Sequence, residues 1–281
     1  MDDQKAKDRQ IIDYFMDKIN SLAIPERVYE NVNRSALRTA LTKYQCSKPF
    51  EEMANILRNG LKNKANVPEM SKIINELTAI SVSSAEGNVY AGGVQHIDKM
   101  LVIKYNKPSS NNDHMYSLKK EFIIGHALNS IRDQTCNFVY TYTNILCPAK
   151  NVLVKGEQSL ICEDRKDSSV AQHNLIEYIE GKTLSSVISD QISMDELGKI
   201  LLCIFCALHI ANKKIGFCHY DLHGGNVIIR EEQRPITLEY KIGNETIYVN
   251  TKYIPVIIDY GLARAKILDG KNMYTLKKRA M

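Results

Sequence analysis

The chain has 281 residues, of which 44% are hydrophobic and 25% are charged, a composition typical of a folded protein with one or two domains. Its formal net charge of +5 is small and no long run of Lys or Arg occurs, so we expect no nucleic-acid partner. No apolar run approaches the ~20 residues that a membrane-spanning helix needs, so we expect no membrane partner either.

The seven cysteines show no paired spacing typical of a metal site. Cys203 and Cys206 stand in an apolar segment beside Leu, Ile and Phe. We therefore expect both to pack in a core rather than to bind a metal. An odd number of cysteines without a signal peptide predicts a reducing compartment and a cytoplasmic location.

Residues 1–77 carry apolar side chains at helical spacing in about four stretches, each of which predicts a helix. Ser35 precedes the second stretch as a potential N-cap, and Pro68 precedes the fourth. We expect a helical N-terminal appendage over 1–77, which is available to bind a protein partner. The four stretches contain Ile11, Ile12, Phe15, Ile19 and Leu22; Leu37, Ala40 and Leu41; Phe50, Met53, Ile56, Leu57 and Leu61; and Met70, Ile73, Ile74 and Leu77.

Strands are predicted from about 78 to 104, where the apolar run MLVIK ends in Lys104. The polar stretch 106–114 predicts a loop. Helical spacing returns over 117–131. The residues that this helix directs toward a core are Phe122, Ile123, Leu128 and Ile131.

A strongly apolar helix is predicted over 198–212, followed by the loop HYDLHGGN at 219–226 and the short strand VIIR at 227–230. A loop held between two rigid elements is a common location for catalytic groups. Residues 237–250 predict two strands around a turn at Gly243 and Asn244. We expect this hairpin to lie either near the mouth of a site or on the surface as a ribbon.

Three polar residues follow the pattern that phosphoryl transfer from Mg-ATP requires. Asp221 is followed by Asn226, and Asp259 comes at the end of the apolar run VII. Asp221 can accept the proton of a substrate hydroxyl group. Asn226 and Asp259 offer the oxygen ligands that Mg²⁺ prefers.

HYDLHGGN resembles the HRD catalytic loop of protein kinases, and DYG at 259–261 resembles their DFG motif. Together with PVIIDYGLAR, the region is similar to the Ser/Thr kinase-like proteins of large DNA viruses. The resemblance implies an α+β, bilobal protein-kinase-like fold over 78–281, with a small lobe (78–176), a hinge (177–181) and a large lobe (182–281). It also implies ATP and Mg²⁺ as cofactors and a location in the host cytoplasm or the virion.

The same resemblance implies how ATP is held. Lys104 pairs with the α- and β-phosphates, and Glu121 orients Lys104 through an ion pair. Gly87 lies where a glycine-rich loop closes over phosphate. The backbone of Glu177 and Ile179 faces adenine. The apolar side chains expected around the purine are Val89, Val102, Ile228 and the gatekeeper Ile176.

The sequence departs from the kinase pattern at several places. Val82 and Ser84 replace the first two glycines of the glycine-rich loop. Tyr220 replaces the Arg that reads activation-loop phosphorylation, so control by that route is not expected.

His223 replaces a Lys that meets the γ-phosphate, and we expect it either to support the loop or to contact phosphate. Only 20 residues follow Gly261, so we expect a shortened C-terminal lobe that lacks the usual peptide platform, either because the chain is naturally minimal or because it is truncated.

Three functions remain compatible with the sequence. The leading one is a Ser/Thr protein kinase that uses ATP to phosphorylate a protein of unknown identity. The second is a small-molecule phosphotransferase, because the pattern H-x-D-x-H-x-x-N at 219–226 also resembles aminoglycoside and sugar phosphotransferases. The third is a nucleotide-binding pseudokinase scaffold, against which the retained Lys104, Glu121 and Mg²⁺-type ligands argue.

Overall fold

A computed structural model of the protein describes residues 2–21, 51, 53–55, 57–58, 74–84, 87–94, 97–105, 113–148, 170–269 and 272–276. These residues form a mixed α+β fold with antiparallel sheets, which confirms the predicted α+β class. They divide into two compact units. Unit 1 takes the described residues up to 123 and those of 141–178, and unit 2 takes those of 124–140 and 179–276. The chain crosses between the units after Ile123, after Tyr140 and after Tyr178, and the last of these points lies within the segment predicted as a hinge.

Unit 1 contains helix α1, helix α2 as far as Ile123, and a sheet. In the part of the chain that the structure describes, five strands form this sheet in the order β1-β2-β3-β5-β4, with antiparallel neighbours. The bounds are α1 (Asp2–Ser21), β1 (Ile74–Ser84), β2 (Gly87–Val94), β3 (Ile97–Tyr105), α2 (Asp113–Asn129), β4 (Thr141–Pro148) and β5 (Val170–Glu177).

The sheet of unit 1 has one well-buried face. Tyr90 lies opposite Ile103, and Ile103 lies opposite Leu175. These three side chains are at most 2% exposed. Because side chains alternate along a strand, Lys104 points to the other face of the sheet.

The first predicted helix is confirmed as α1. Ile12, Phe15 and Met16 are buried, and their helical spacing forms an apolar face. The described residues of the third predicted stretch are also helical, with Met53 and Leu57 buried. The second predicted stretch lies outside the described residues.

The fourth predicted helix is wrong at its end, because Ile74 and Leu77 belong to β1. Two apolar residues three positions apart are compatible with a helix or a strand. The β-branched residues that follow at alternate positions, Thr78, Ile80 and Val82, favour a strand. The boundary expected at residue 77 therefore falls inside β1, which pairs with β2.

Helix α2 begins at Asp113, so the last two residues of the loop predicted over 106–114 are helical. Phe122, Ile123 and Leu128 are each about 1% exposed, as their spacing predicts. The predicted residues are therefore buried, but so are Lys120, Glu121 and Ile124, so this part of α2 is buried all around its axis.

Unit 2 begins within α2 and, in its described residues, contains two small sheets. Strands β6, β7 and β8 form one sheet in that order, and β9 pairs with β10. No helix in the described part of the chain combines the length and apolar character needed to cross a bilayer. The bounds are β6 (Lys182–Thr183), α3 (Leu184–Ser189), α4 (Met194–Ile215), a 3₁₀ turn (Gly224–Asn226), β7 (Val227–Ile242), β8 (Glu245–Ile257), β9 (Ala265–Asp269) and β10 (Asn272–Leu276).

Helix α4 contains the apolar helix predicted over 198–212 and has well-defined ends. Ser193 caps its start by accepting a hydrogen bond from the Glu196 N–H at 3.2 Å. Gly216 ends it with a φ of 58°, a left-handed conformation that favours glycine. The cap at Gly216 fixes where the following loop begins.

The cysteines of α4 lie in the core of unit 2, as predicted. Cys203 is fully buried and Cys206 is 3% exposed. Burial raises the pKa of the Cys203 thiol to about 11, so this thiol stays protonated at neutral pH. The described residues contain no group of three or more His, Cys, Asp or Glu side chains placed to hold a metal. Cys203 and Cys206 therefore belong to no such group.

Strands β7 and β8 form one long antiparallel ribbon, joined at the predicted turn of Gly243 and Asn244. Gly243 has a φ of 62°, which suits glycine in a two-residue turn. The strand VIIR and the predicted hairpin are continuous, so the ribbon starts at Val227. Leu238 and Val249 lie opposite each other and are buried on the side that packs against α4. One face of the ribbon therefore belongs to the core of unit 2.

A buried polar network, which the sequence did not reveal, joins this ribbon to residues 135–137. Asn137 is fully buried, and its Nδ2 donates to the Pro255 carbonyl at 2.7 Å. Its Oδ1 accepts from the hydroxyl groups of Tyr240, at 2.7 Å, and Thr135, at 3.0 Å. Burial raises the pKa of the Tyr240 phenol, so Tyr240 remains a hydrogen-bond donor.

We predict that Asn137→Ala lowers the free energy of unfolding by about 2–4 kcal/mol, because it leaves buried donors and an acceptor without partners. Urea unfolding followed by circular dichroism measures this loss. The matched control is Asn250→Ala, since Asn250 is exposed on β8 and bonds Thr237 Oγ1 at 3.1 Å. The control should change stability by less than about 0.5 kcal/mol. Equal losses in the two variants would contradict the role of the network.

Candidate functional site

Lys104 and Glu121 form an ion pair in unit 1. Lys104 projects from β3 and Glu121 from α2, and Nζ lies 2.9 Å from Oε1. The two side chains are only 19% and 10% exposed, so solvent screens this pair less than a surface pair. The structure thus brings together the two residues expected to act as a unit, and their contact with phosphate stays a prediction.

Three residues predicted to surround a purine share one face of the sheet with Lys104. Val89 lies opposite Lys104 in the ladder, and Val102 lies opposite Ile176. Val102 and Lys104 are two positions apart on β3, so they point the same way. All four side chains are partly exposed. We call the surface formed by Val89, Val102, Lys104 and Ile176 the lysine face.

Two further predicted residues lie elsewhere in this sheet. Gly87 begins β2 and pairs with Ser84 of β1. Glu177 pairs with Leu101, opposite to the lysine face, and is 5% exposed. The contacts expected of Gly87 and Glu177 use backbone atoms, and they stay predictions.

Asn174 is a site residue that the sequence analysis missed. It pairs with Lys104 across β3 and β5 and is 1% exposed. Its Nδ2 donates to the Leu118 carbonyl of α2 at 2.9 Å. Asn174 therefore ties the sheet to the turn of α2 that carries Glu121. An Asn in a strand has no sequence signal for a partner 56 residues away.

His219 anchors the loop between α4 and β7 in unit 2. Its ring is 4% exposed, and Nδ1 accepts the N–H of Asp221 at 3.3 Å. Because Nδ1 accepts, Nε2 carries the proton and donates to the Ile258 carbonyl at 2.9 Å. The ring therefore connects Asp221 to the residue that precedes Asp259.

Asn226 makes a second connection between the same segments. It is 8% exposed, and its Nδ2 donates to the Asp221 carbonyl at 2.9 Å and to Asp221 Oδ2 at 3.4 Å. Its own carbonyl accepts the Ile258 N–H at 3.0 Å. We call the hydrogen-bonded group of His219, Asp221, Asn226 and Ile258 the loop junction. It brings Asp221, Asn226 and the segment of Asp259 into one arrangement.

Two residues beside the loop junction have a left-handed backbone. Tyr220 has a φ of 63° and Asp259 a φ of 65°. For residues other than glycine this conformation costs about 1 kcal/mol or more, and it is typical of functional sites. Asp259 Oδ1 accepts the Gly261 N–H at 3.3 Å, a local turn that Asp forms readily. Tyr220 is 66% exposed, so burial of its ring does not offset the strain.

Aromatic rings pack beneath the loop junction within unit 2. Phe217 contacts Phe138, His219 and Tyr260 edge-to-face, with ring centroids 5.4, 6.2 and 5.9 Å away. His219 and Tyr260 also meet edge-to-face at 6.3 Å. Edge-to-face contacts fix the orientation of each ring. The packing therefore holds the His219 ring where both of its nitrogen atoms find partners.

His223 caps its own loop. It is the N-cap of the 3₁₀ turn, and its Nδ1 accepts the Gly225 N–H at 3.1 Å. A Cβ at Gly225 would lie 2.9 Å from the His223 ring, so this position favours glycine. Of the two roles expected for His223, the supporting one has a visible contact. A contact with phosphate stays a prediction.

The two predicted metal ligands are compatible with Mg²⁺ in their chemistry. Asn226 uses its amide nitrogen on Asp221, which leaves Oδ1 as the ligand atom, and Asp259 is a carboxylate. Mg²⁺ commonly binds through one or two protein oxygens and takes its other ligands from water and substrate phosphates. This sparse donor set therefore suits a metal that arrives with a nucleotide.

The two remaining predicted residues lie in unit 2. Ile179 is 5% exposed, and Ile228 is partly exposed on β7, opposite Val256. Unit 1 thus carries the lysine face and Glu121, and unit 2 carries the loop junction and Asp259.

We predict that His219→Phe lowers the free energy of unfolding by about 1–3 kcal/mol, because an aromatic ring is kept but both hydrogen bonds of the His219 ring are lost. Urea unfolding measures the change. His209→Phe is the control, since His209 is exposed on α4 and should tolerate the same substitution. A loss at position 209 as large as that at position 219 would contradict the anchoring role of His219.

No protein-family profile matches the chain. Over 105 residues, or 34% of its length, the chain is 34% identical to an uncharacterized protein of Invertebrate iridescent virus 6. Over 158 residues, or 51% of its length, it is 29% identical to an uncharacterized protein of Invertebrate iridescent virus 3. Over 95 residues, or 33% of its length, it is 37% identical to a protein of the same virus named "Probable kinase".

These relatives are much longer than the matched regions. The matches cover 9%, 14% and 18% of their lengths, so the chain spans less than a fifth of each. The predicted resemblance to viral kinase-like proteins is therefore supported over about a third of the chain.

Proposed function

We propose that the protein is an ATP-dependent phosphotransferase with a bilobal protein-kinase-like fold, and more specifically a Ser/Thr protein kinase. The observation that carries this proposal is the loop junction, in which Asn226 bonds both Asp221 and Ile258, next to Asp259. A general base and two oxygen ligands at one place are the parts that phosphoryl transfer needs. The similarity to a viral protein named as a kinase supports the same reaction class.

Asp221 acts as the general base in this proposal. Its side chain is exposed, so it is accessible to a hydroxyl group of a substrate. Its backbone is fixed on both sides, because His219 accepts its N–H and Asn226 donates to its carbonyl. The carboxylate then orients the acceptor hydroxyl and takes its proton during transfer.

Asn226 and Asp259 hold Mg²⁺ in this proposal. When bound, the metal neutralises the charge that develops on the phosphate oxygens. The left-handed backbone of Asp259, fixed by the hydrogen bond to the Gly261 N–H, sets the direction of its carboxylate. Asn226 keeps its amide oxygen directed away from Asp221 by donating its nitrogen there.

Lys104 and Glu121 bind and orient the nucleotide in this proposal. The ion pair holds the flexible Lys104 side chain in one position, and the partly exposed lysine face lies beside it. A fixed cation next to an apolar surface suits a nucleotide, whose phosphates are charged and whose base has flat faces that pack against apolar side chains.

The small-molecule alternative is based on His223 and on the expected absence of the usual peptide platform, and the structure bears only on His223. That residue caps the 3₁₀ turn through the Gly225 N–H, a role that any acceptor substrate permits. The protein-kinase proposal remains the leading one. An experiment with both kinds of acceptor decides whether the substrate is a protein or a small molecule.

We predict that Asp221→Asn lowers kcat by about 10²–10⁴-fold and leaves ATP affinity within about threefold, because a general base acts chiefly in the transition state. Transfer of labelled γ-phosphate from Mg-ATP to casein and to kanamycin measures the reaction. Asp133→Asn, an exposed Asp in the same unit, should match the wild type.

Transfer to casein by the wild type supports the protein kinase, whereas transfer to kanamycin alone supports the small-molecule alternative. Full activity of Asp221→Asn would contradict the proposed base. Binding of ATP without transfer to any acceptor would favour a scaffold.

A further inference from the structure

Helix α1 binds α2 through a compact polar cluster within unit 1. Asp13 Oδ1 lies 2.6 Å from Lys119 Nζ, and the Tyr116 hydroxyl donates to Asp13 Oδ2 at 3.2 Å. The Arg9 guanidinium and the Lys119 ammonium lie 4.8 and 5.0 Å from the centre of the Tyr116 ring. One carboxylate on α1 therefore holds two successive turns of α2.

This cluster is more shielded than an ordinary surface ion pair. The Lys119 side chain is 12% exposed and that of Asp13 is 45% exposed. Ile12, beside Asp13 in the chain, is buried, as are Phe15 and Met16 in the next turn. Asp13 thus lies at the edge of the buried apolar side of α1, where ion pairs gain more than they do in water.

The sheet holds α2 from the opposite direction. Leu118 accepts from Asn174 of β5, and Glu121 binds Lys104 of β3. With 3.6 residues per turn, the direction of Glu121 lies about 170° around the helix axis from the mean direction of Tyr116 and Lys119. A helix held on opposite sides cannot rotate about its axis without breaking one set of contacts.

We propose that Asp13 is a positioning residue for the Lys104 and Glu121 pair. By binding Tyr116 and Lys119, it holds α2 at the rotation at which Glu121 reaches Lys104. The effect of Asp13 on phosphate transfer rests on the proposed function. Its effect on the contact between Lys104 and Glu121 does not. The N-terminal helix is then part of the machinery of the site, not a separate appendage.

The first experiment measures phosphate transfer from labelled Mg-ATP to casein. Asp13→Asn should lower kcat about 2- to 30-fold, the range typical of residues that act through a coupled contact. Asp13→Glu keeps the carboxylate and should restore most of the activity. The control Asp17→Asn removes an exposed carboxylate one turn further along α1 and should match the wild type.

The background Glu121→Gln separates positioning from general destabilisation. If Asp13 acts through Glu121, adding Asp13→Asn to Glu121→Gln should cause less than about a twofold further loss, because residues that act as a unit are not additive. Losses that multiply in the double variant would overturn the proposal.

The second experiment does not depend on catalysis. Brief acetylation with an N-hydroxysuccinimide ester, read by peptide mass spectrometry, gives the reaction rate of the Lys104 amine. An amine held in a partly buried ion pair reacts slowly, so Asp13→Asn should raise the rate at Lys104 by about twofold or more, and Glu121→Gln should raise it further. Asp17→Asn should leave it unchanged.

The two experiments fail in distinguishable ways. If the wild type transfers no phosphate, the proposed function is wrong, and the Lys104 rates still decide the inference. If Lys104 in Asp13→Asn reacts at the wild-type rate while circular dichroism shows a folded protein, Asp13 does not position the pair. The inference is then wrong whatever the activity of the wild type.

Discussion

The candidate site of unit 2 depends on the hydrogen bonds that fasten the loop 217–226 to the chain around Ile258. His219 donates to the Ile258 carbonyl, and the carbonyl of Asn226 accepts the Ile258 N–H. Ile258 is therefore held through both of its backbone polar groups. Cys218 reinforces the connection by exchanging two backbone hydrogen bonds with Arg264, at 2.9 and 2.8 Å. These bonds stabilise the left-handed conformations of Tyr220 and Asp259, which an isolated chain would avoid.

Unit 1 positions its polar side chains in a different way. Its polar groups sit on a regular strand and a regular helix, so their positions follow from register and rotation. Asn174 fixes α2 against the sheet, and Asp13 fixes it from the other side. The Lys104 and Glu121 pair then needs no strained backbone, because two rigid elements already bring the side chains to 2.9 Å.

Local pattern was enough to predict much of the fold. The apolar periodicity predicted α1, most of α2 and the core of α4, and Gly243 with Asn244 predicted the turn of the ribbon. It was wrong for Ile74 and Leu77, where helical spacing coincided with the start of a strand. Motif spacing also paired Lys104 with Glu121 across 17 positions.

Partners that lie far apart in the sequence were not predictable. Asn137 and Tyr240 are separated by 103 residues, and Asp13 and Lys119 by 106. A polar residue in a strand or helix has the same local signal whether it faces solvent or a buried partner. The role of His219 as an anchor likewise required the position of the Ile258 carbonyl, which only the folded chain supplies.

In the proposed function, the loop junction presents Asn226, and Asp259 beside it, to the metal of Mg-ATP. Thermal unfolding in the presence of ATP tests this metal contact, because a ligand that binds the folded state raises Tm. Tm is measured with Mg²⁺ present and with the metal removed by EDTA. We expect a Mg²⁺-dependent rise in Tm for the wild type and for Asp133→Ala, and loss of most of that rise in Asp259→Ala. An equal Mg²⁺-dependent rise in Asp259→Ala, or none in the wild type, would contradict it.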